Sequence, residues 1–279
     1  MKQTCPDDPK QTNIAYKILG ACLVLLLLVL AIVVANNEYN KAATHVPRQS
    51  FVLLKVTTTV ELKDCIEPTN MCQSNKAYPE TWDPTMVHKG SGLVISHVDD
   101  NSYIITAAHV CKNKVPKRVT IDGLKYTVNV NRKIEVFDYS GNNHITEVVH
   151  YDHHHDMCIL KSKGVWGQAI TVASHMPERG DRVLNLAAPY GIYSPKMVLT
   201  FEGFYSGTDH LGNEIYTIPA APGSSGSPIF NEKGELISII HSAAYRFENI
   251  AIGCKLENLR EFIESYVSRK QSFWDNFDI

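Results

Sequence analysis

The sequence predicts an all-β domain, a sandwich or a pair of barrels, that ends in one helix and follows a separate apolar segment. Three observations carry that reading. About a dozen short runs rich in β-branched and aromatic residues succeed one another from Phe51, as half-buried strands do. Gly, Asn and Asp punctuate the gaps, as in "IDGLKY", where Asp122-Gly123 marks a hairpin. An amphipathic helical stripe of Leu256, Leu259, Ile263 and Val267 follows the last strand.

Taken in order, residues 1–13 form a polar tail, and 14–36 hold the uncharged run "ILGACLVLLLLVLAIVVA" (Ile18 to Ala35). That run has about the length a helix needs to cross roughly 30 Å of hydrocarbon. It exceeds the signal-peptide core of about 7–15 residues, so an uncleaved anchor is expected, with the membrane as partner of residues 14–36. "LGAC" (Leu19 to Cys22) mimics a lipoprotein box, but the apolar run follows its cysteine instead of preceding it. Lys2, Lys10 and Lys17 precede the span, against Lys41 and Arg48 after it. This slight bias puts the N-terminus in the cytoplasm and the domain outside. Residues 37–50 form a linker. The strand-like runs then include "FVLLKVTTTVEL", "SGLVIS", "YIITA", "RVTIDG", "YTVNVN", "HITEVVHY", "DRVLNLA", "EIYTI" and "ELISII". The Pro-, Asn- and Asp-rich stretch 63–89 reads as an insertion loop, and 269–279 as an aromatic, polar tail.

Composition excludes one large class. The net charge of the 279 residues is −2, and Lys and Arg are scattered, so no basic field recruits nucleic acid. Seven cysteines are present. Cys65 and Cys72 bracket "CIEPTNMC", a spacing that suits a local disulfide in an oxidising compartment; two free thiols are the reading in the cytosol.

Three clusters carry chemistry: His109 in "TAAHVC", Asp156 in "HHHDMCIL", and "PAAPGSSGSPIF" from Pro219 to Phe230. Singly, each has a structural explanation: a packed histidine, a turn acid, a loop. Together they supply what a serine nucleophile needs, namely a base, a group that fixes the base, and backbone N–H groups for the oxyanion. Gly223 permits a positive φ, so that the N–H groups of Gly223 and Ser225 converge as an oxyanion hole. The adjacent His153, His154 and His155 alternate in direction on an extended segment and converge poorly on an ion. No metal and no cofactor are expected.

"TAAHVC", "DMCIL" and "GSSGSP" resemble the active-site motifs of trypsin-like (chymotrypsin-fold) serine proteases, in that family's order of His, Asp and Ser. "GSGLVIS", "GDRVLNLAAPYG" and "IAIGCKLENL" are similar to segments of its HtrA-like branch. The resemblance spans 51–268, with no PDZ-like segment after it. It implies two six-stranded antiparallel β-barrels with a C-terminal helix. It also implies a catalytic triad of His109, Asp156 and Ser225, and a serine endopeptidase acting on proteins or peptides through an acyl-enzyme. Ser224 stands where digestive relatives carry the acid that pairs with a new N-terminus, and no "IVGG"-like start is present. Activity is therefore expected without that cleavage. Cys111 and Cys158 are displaced from the cysteine pattern of animal trypsins, and both are expected as buried free thiols.

In this family three stretches wall the primary pocket. Here they offer Pro219, Ala220, Ile240, Ile252 and Cys254, which are small or apolar. His241 falls on the opposite face from Ile240, and the direction of Lys255 is open. Such walls favour Val, Ile, Ala or Leu before the cut. A catalytically silent, membrane-tethered peptide-binding module of the same fold is the alternative.

Overall fold

A computed structural model describes residues 20–34, 46–65, 85–112, 117–121, 123–164, 166–244 and 247–275. The chain divides into two units, Met1–His45 and Val46–Ile279. In the first, residues 20–34 form helix α1, exposed along its whole length. At 1.5 Å per residue α1 reaches about 22 Å. Among the described residues no helix is long and apolar enough to cross a membrane. The remainder of the expected anchor, 14–19 and 35–36, lies outside the described residues.

The second unit opens with β1 (Phe51–Cys65), β2 (Thr85–Val98) and β3 (Asn101–Ala107), then a single helical turn, α2 (Ala108–Cys111). β4 (Arg118–Ile121), β5 (Leu124–Phe137), β6 (Asn143–Asp152) and β7 (Met157–Lys163) follow. Strands β1-β2-β3-β7-β6-β5 form a ring that the β1–β5 pairing closes, and β4 lies on the outer edge of β5. The C-terminal half contains β8 (Arg182–Ala187), β9 (Leu199–Thr208), β10 (Glu214–Tyr216), β11 (Pro228–Phe230), β12 (Leu236–Ala244) and β13 (Phe247–Gly253). These close in the order β10-β13-β12-β11-β8-β9. Helix α3 (Leu256–Asp275) completes the chain. The fold is thus all-β, two closed six-stranded antiparallel barrels with a C-terminal helix.

Three apolar clusters hold it together. Val52, Leu54, Ile104, Val136 and Leu160 fill the first barrel, and Val183, Tyr216, Ile218, Ile229 and Ile237 fill the second. The third cluster joins the two: Phe51, Leu93 and Ile105 from one barrel meet Leu186, Phe230 and Ile239 from the other, with Leu259 of α3. Each is a contiguous apolar cluster whose burial contributes about 25 cal/mol per Å².

Three expectations change. β1 and β2 reach into the stretch 63–89 from both sides: β5 pairs with β1 as far as Cys65↔Tyr126, and β2 pairs with β1 as far as Thr59↔Thr85. Helix α3 runs through residue 268 to Asp275; no Gly or Pro stops it there. Cys111 and Cys158 are not free thiols: they form a disulfide, 47 residues apart in sequence. The register of β3 against β7 sets Thr106 opposite Cys158 and Ala107 opposite Met157. One helical turn then returns Cys111 over its partner. Cys254 is a buried free thiol. Of the expected Cys65–Cys72 pair, Cys72 lies outside the described residues.

Candidate active site

His109 sits on α2 at the end of β3, where the apolar run "YIIT" stops and the chain turns outward. Its ring is half exposed, with 45% of the side chain accessible, while Asp156 retains 25%. Asp156 grips it at two points: Oδ1 accepts the His109 backbone N–H at 2.8 Å, and Oδ2 lies 2.6 Å from Nδ1. The Asp156 carbonyl also accepts the Ala108 N–H at 3.0 Å. These bonds fix the imidazole with Nδ1 toward the acid and Nε2 outward. Asp156 adopts φ +54, a left-handed conformation that Asp tolerates better than most residues and that recurs at functional sites. The Cys111–Cys158 bridge lies two residues beyond each member of this pair.

Ser225 belongs to the second barrel, in the loop between β10 and β11. Gly223 and Gly226 turn that loop with φ +100 and +82. A Cβ on Gly226 would sit 2.2 Å from Thr106 Oγ1 and 2.3 Å from the Ser91 carbonyl, so both conformation and space require glycine there. The loop is held by Ser224 N–H to Ala221 C=O at 2.8 Å, Gly226 N–H to Ile240 C=O at 2.7 Å and Ser227 N–H to Ser224 C=O at 2.9 Å. Ser224 accepts the Ala221 N–H on its own hydroxyl at 3.2 Å, so this residue braces the loop. Among the described residues, the N–H groups of Gly223 and Ser225 donate to no protein acceptor, and the Ser225 hydroxyl makes no hydrogen bond. Catalytic hydrogen bonds in ligand-free enzymes are often long and tighten with substrate bound.

Two cavities flank β12 where it passes these groups. One, about 190 Å³, is lined by Ser225, Ala220, Ala221, Ile240, Ala243 and Ala244, among others, and no charged side chain lines it. The second, about 510 Å³, lies on the Asp156 side and includes His154, His155, His241, Cys254, Lys255 and Asn258. Successive residues Ile240 and His241 therefore face different cavities. Burial pushes the His241 imidazole below its usual pKa, partly opposed by the Asp156 charge and a hydrogen bond with the Gly253 backbone. Lys255 points away from the Ser225 cavity; a Cβ on Gly212 would meet its Nζ at 3.0 Å. Among the residues named for the pocket, Ala220 and Ile240 line the Ser225 cavity, whereas Pro219, Ile252 and Cys254 do not.

Sequence reasoning did not place two neighbours of the site beside it. Ser91 on β2 hydrogen-bonds the Ser225 backbone; the signal was a polar residue between two glycines in "GSGLVIS". His241 lies beside Asp156; the signal was a histidine closing the buried run "LISII". Among the described residues no group of His, Cys, Asp and Glu could hold a metal ion.

The fold recurs in known proteins. A serine endoprotease from Yersinia pestis superposes with a TM-score of 0.54 at 20% identity, over 81% of this chain and 65% of that one. The present chain thus matches less than two thirds of that protein's length. No curated protein matches the sequence. The family model of the trypsin-like peptidase domain matches residues 90–239, from within β2, ahead of His109, to within β12, beyond Ser225, and the chain belongs to that family.

Proposed function

We propose that the chain is a membrane-anchored serine endopeptidase with His109, Asp156 and Ser225 as its triad. The two-point grip of Asp156 on His109 carries the reading, because an imidazole so fixed presents Nε2 as a base. Ser225 Oγ attacks the scissile carbonyl and passes its proton to His109 Nε2; the N–H groups of Gly223 and Ser225 receive the oxyanion. The leaving amine takes that proton as the C–N bond breaks and the acyl-enzyme forms. Water, deprotonated by the same nitrogen, then hydrolyses the ester. Asp156 stabilises the transient imidazolium and stays ionised.

The uncharged 190 Å³ cavity beside Ser225 supports selection of small or medium aliphatic side chains such as Val, Ile, Ala or Leu. The apolar run 18–35 supports tethering by residues 14–36 with the N-terminus in the cytoplasm. The Cys111–Cys158 disulfide supports a domain outside the reducing cytosol. An HtrA-like relationship agrees with the motifs around both barrels.

The test is labelling by a fluorophosphonate, which reacts only with an activated serine. Wild type should label and hydrolyse peptides. Ser225→Ala should lose both, with kcat down by about 10⁴–10⁶, and His109→Ala should behave alike. A folded wild type that neither labels nor cleaves would be the silent binding module.

A further inference from the structure

We infer that Ser91 is a positioning residue for the oxyanion hole, acting from the first barrel on the nucleophile loop of the second; the inference rests on the peptidase reading of Ser225. Ser91 is fully buried, and every polar group it has is engaged, two of them across the barrel junction. Its N–H donates to the Ser225 carbonyl at 2.8 Å. Its hydroxyl donates to the Gly223 carbonyl at 2.8 Å and accepts the Ala188 N–H at 3.0 Å. Its carbonyl accepts the Thr106 hydroxyl at 2.8 Å, on the strand that leads to His109.

The geometry around Gly223 gives the hydroxyl its effect. The Gly223 N–H belongs to the peptide plane of the Pro222 carbonyl, which accepts the Tyr190 N–H at 2.6 Å. The next plane carries the Gly223 carbonyl, held by Ser91. Between the two planes lies a glycine at φ +100, the softest joint a backbone offers. With both planes pinned, the Gly223 N–H has one direction. Without the Ser91 hydroxyl, the Gly223 carbonyl and the Ala188 N–H both lose a partner in a buried place. The plane of that carbonyl then keeps only the Ser224 N–H bond to the Ala221 carbonyl, about which the Gly223 carbonyl can tilt toward water and carry the loop with it. Ser91 touches no reacting atom. Its contribution is the aim of a donor that binds the oxyanion of the transition state and makes no demand on the ground state.

The test uses the full chain and two variants. Ser91→Ala removes the hydroxyl. Ser91→Cys keeps nearly the same volume but substitutes a weak donor, so it separates hydrogen bonding from packing. Losing one oxyanion donor costs about 10²–10³ in kcat, and misaiming one should cost about tenfold or more. Both variants should lose kcat by that factor at unchanged KM. Affinity for a peptidyl boronic acid, which forms a tetrahedral adduct on the serine, should fall in parallel. A Ser91→Cys enzyme with wild-type kcat, or a loss appearing only in KM, overturns the inference. Amide hydrogen exchange across residues 219–227 reads the loop without reference to catalysis. Faster exchange there in both variants supports the inference, and unchanged protection overturns it. A wild type inert to fluorophosphonate would fail the peptidase reading, and the exchange measurement would still decide the role of Ser91 in holding the loop.

Discussion

Replacing Cys111 and Cys158 together by alanine should lower the melting temperature by roughly 8–16 °C. The bridge closes a chain segment 47 residues long. In the chain-entropy relation a loop of that size removes about 14 cal/mol/K from the unfolded ensemble, or about 4 kcal/mol at 25 °C. For a domain of this length, each kcal/mol moves the midpoint by roughly 2–4 °C. Both sulfurs are buried in the first barrel's core, so dithiothreitol should act slowly on the native protein and quickly after unfolding. The assay is thermal unfolding by circular dichroism for wild type, the double variant, and wild type refolded under reducing conditions. Non-reduced peptide mapping checks the bond itself. The double variant should also lose kcat at temperatures where it is fully folded, because the bridge joins α2, which carries His109, to the strand that leaves Asp156. A midpoint within about 2 °C of wild type, or both thiols alkylating freely in the folded protein, would refute the reasoning.

A positional-scanning peptide library should show Val, Ile, Ala or Leu before the cut, and dominant Arg, Lys, Glu or Gln would show that another cavity receives that side chain. Protease added to intact cells should reach the domain; full protection would place it in the cytoplasm and sink the topology. Acid should destabilise the first barrel through Asp138. Burial pushes this carboxyl up, but hydrogen bonds from His144 and from the side chain and backbone of Asn142 outweigh it, and its pKa is lowered. A depressed carboxyl contributes stability above the unfolded value of about 3.9 and loses it as pH falls through the folded value. Asp138→Asn should therefore flatten the acid limb of the melting curve below about pH 4. Parallel acid limbs for the two proteins would remove Asp138 from the account.

The parts of the molecule legible in the sequence are those set by local pattern. Alternation marked the strands, and His109, Asp156 and Ser225 stood in motifs whose residues lie within a few positions of one another. What was hidden depends on register. Cys111 finds Cys158 only through the pairing of β3 with β7, so a search for a partner upstream of His109 could not succeed. The pocket walls show the same limit. Counting alternate residues along β13 put Ile252 and Cys254 beside Ser225. The β12–β13 pairing, however, shifts between Ile240 and Ser242 and again between Ala243 and Ala244. A bulge turns the side chains beyond it to the other face, and Ala243 and Ala244, which alternation did not single out, line the cavity beside Ser225. Lys255 was open for the same reason.

The site also divides cleanly between the barrels, and the division says which perturbations should affect rate and which stability. His109 and Asp156 both belong to the first barrel, locked to each other by two hydrogen bonds, with a third from the Ala108 N–H to Asp156 and a nearby disulfide. The nucleophile loop belongs to the second and is braced by its own backbone and by Asn185, which donates to the Ser227 hydroxyl and the Pro228 carbonyl. Either half can therefore keep its internal geometry while losing alignment with the other. The apolar cluster of Phe51, Leu93, Phe230 and Ile239 presses the barrels together, but such packing is non-directional and fixes no hydrogen-bond donor in space. Directional alignment falls to the polar groups at the junction, and Ser91 contributes two of them, its N–H and its hydroxyl, which make three hydrogen bonds to the second barrel. Trimming an apolar residue of that cluster should mainly lower stability, whereas removing one oxygen from Ser91 should mainly lower rate.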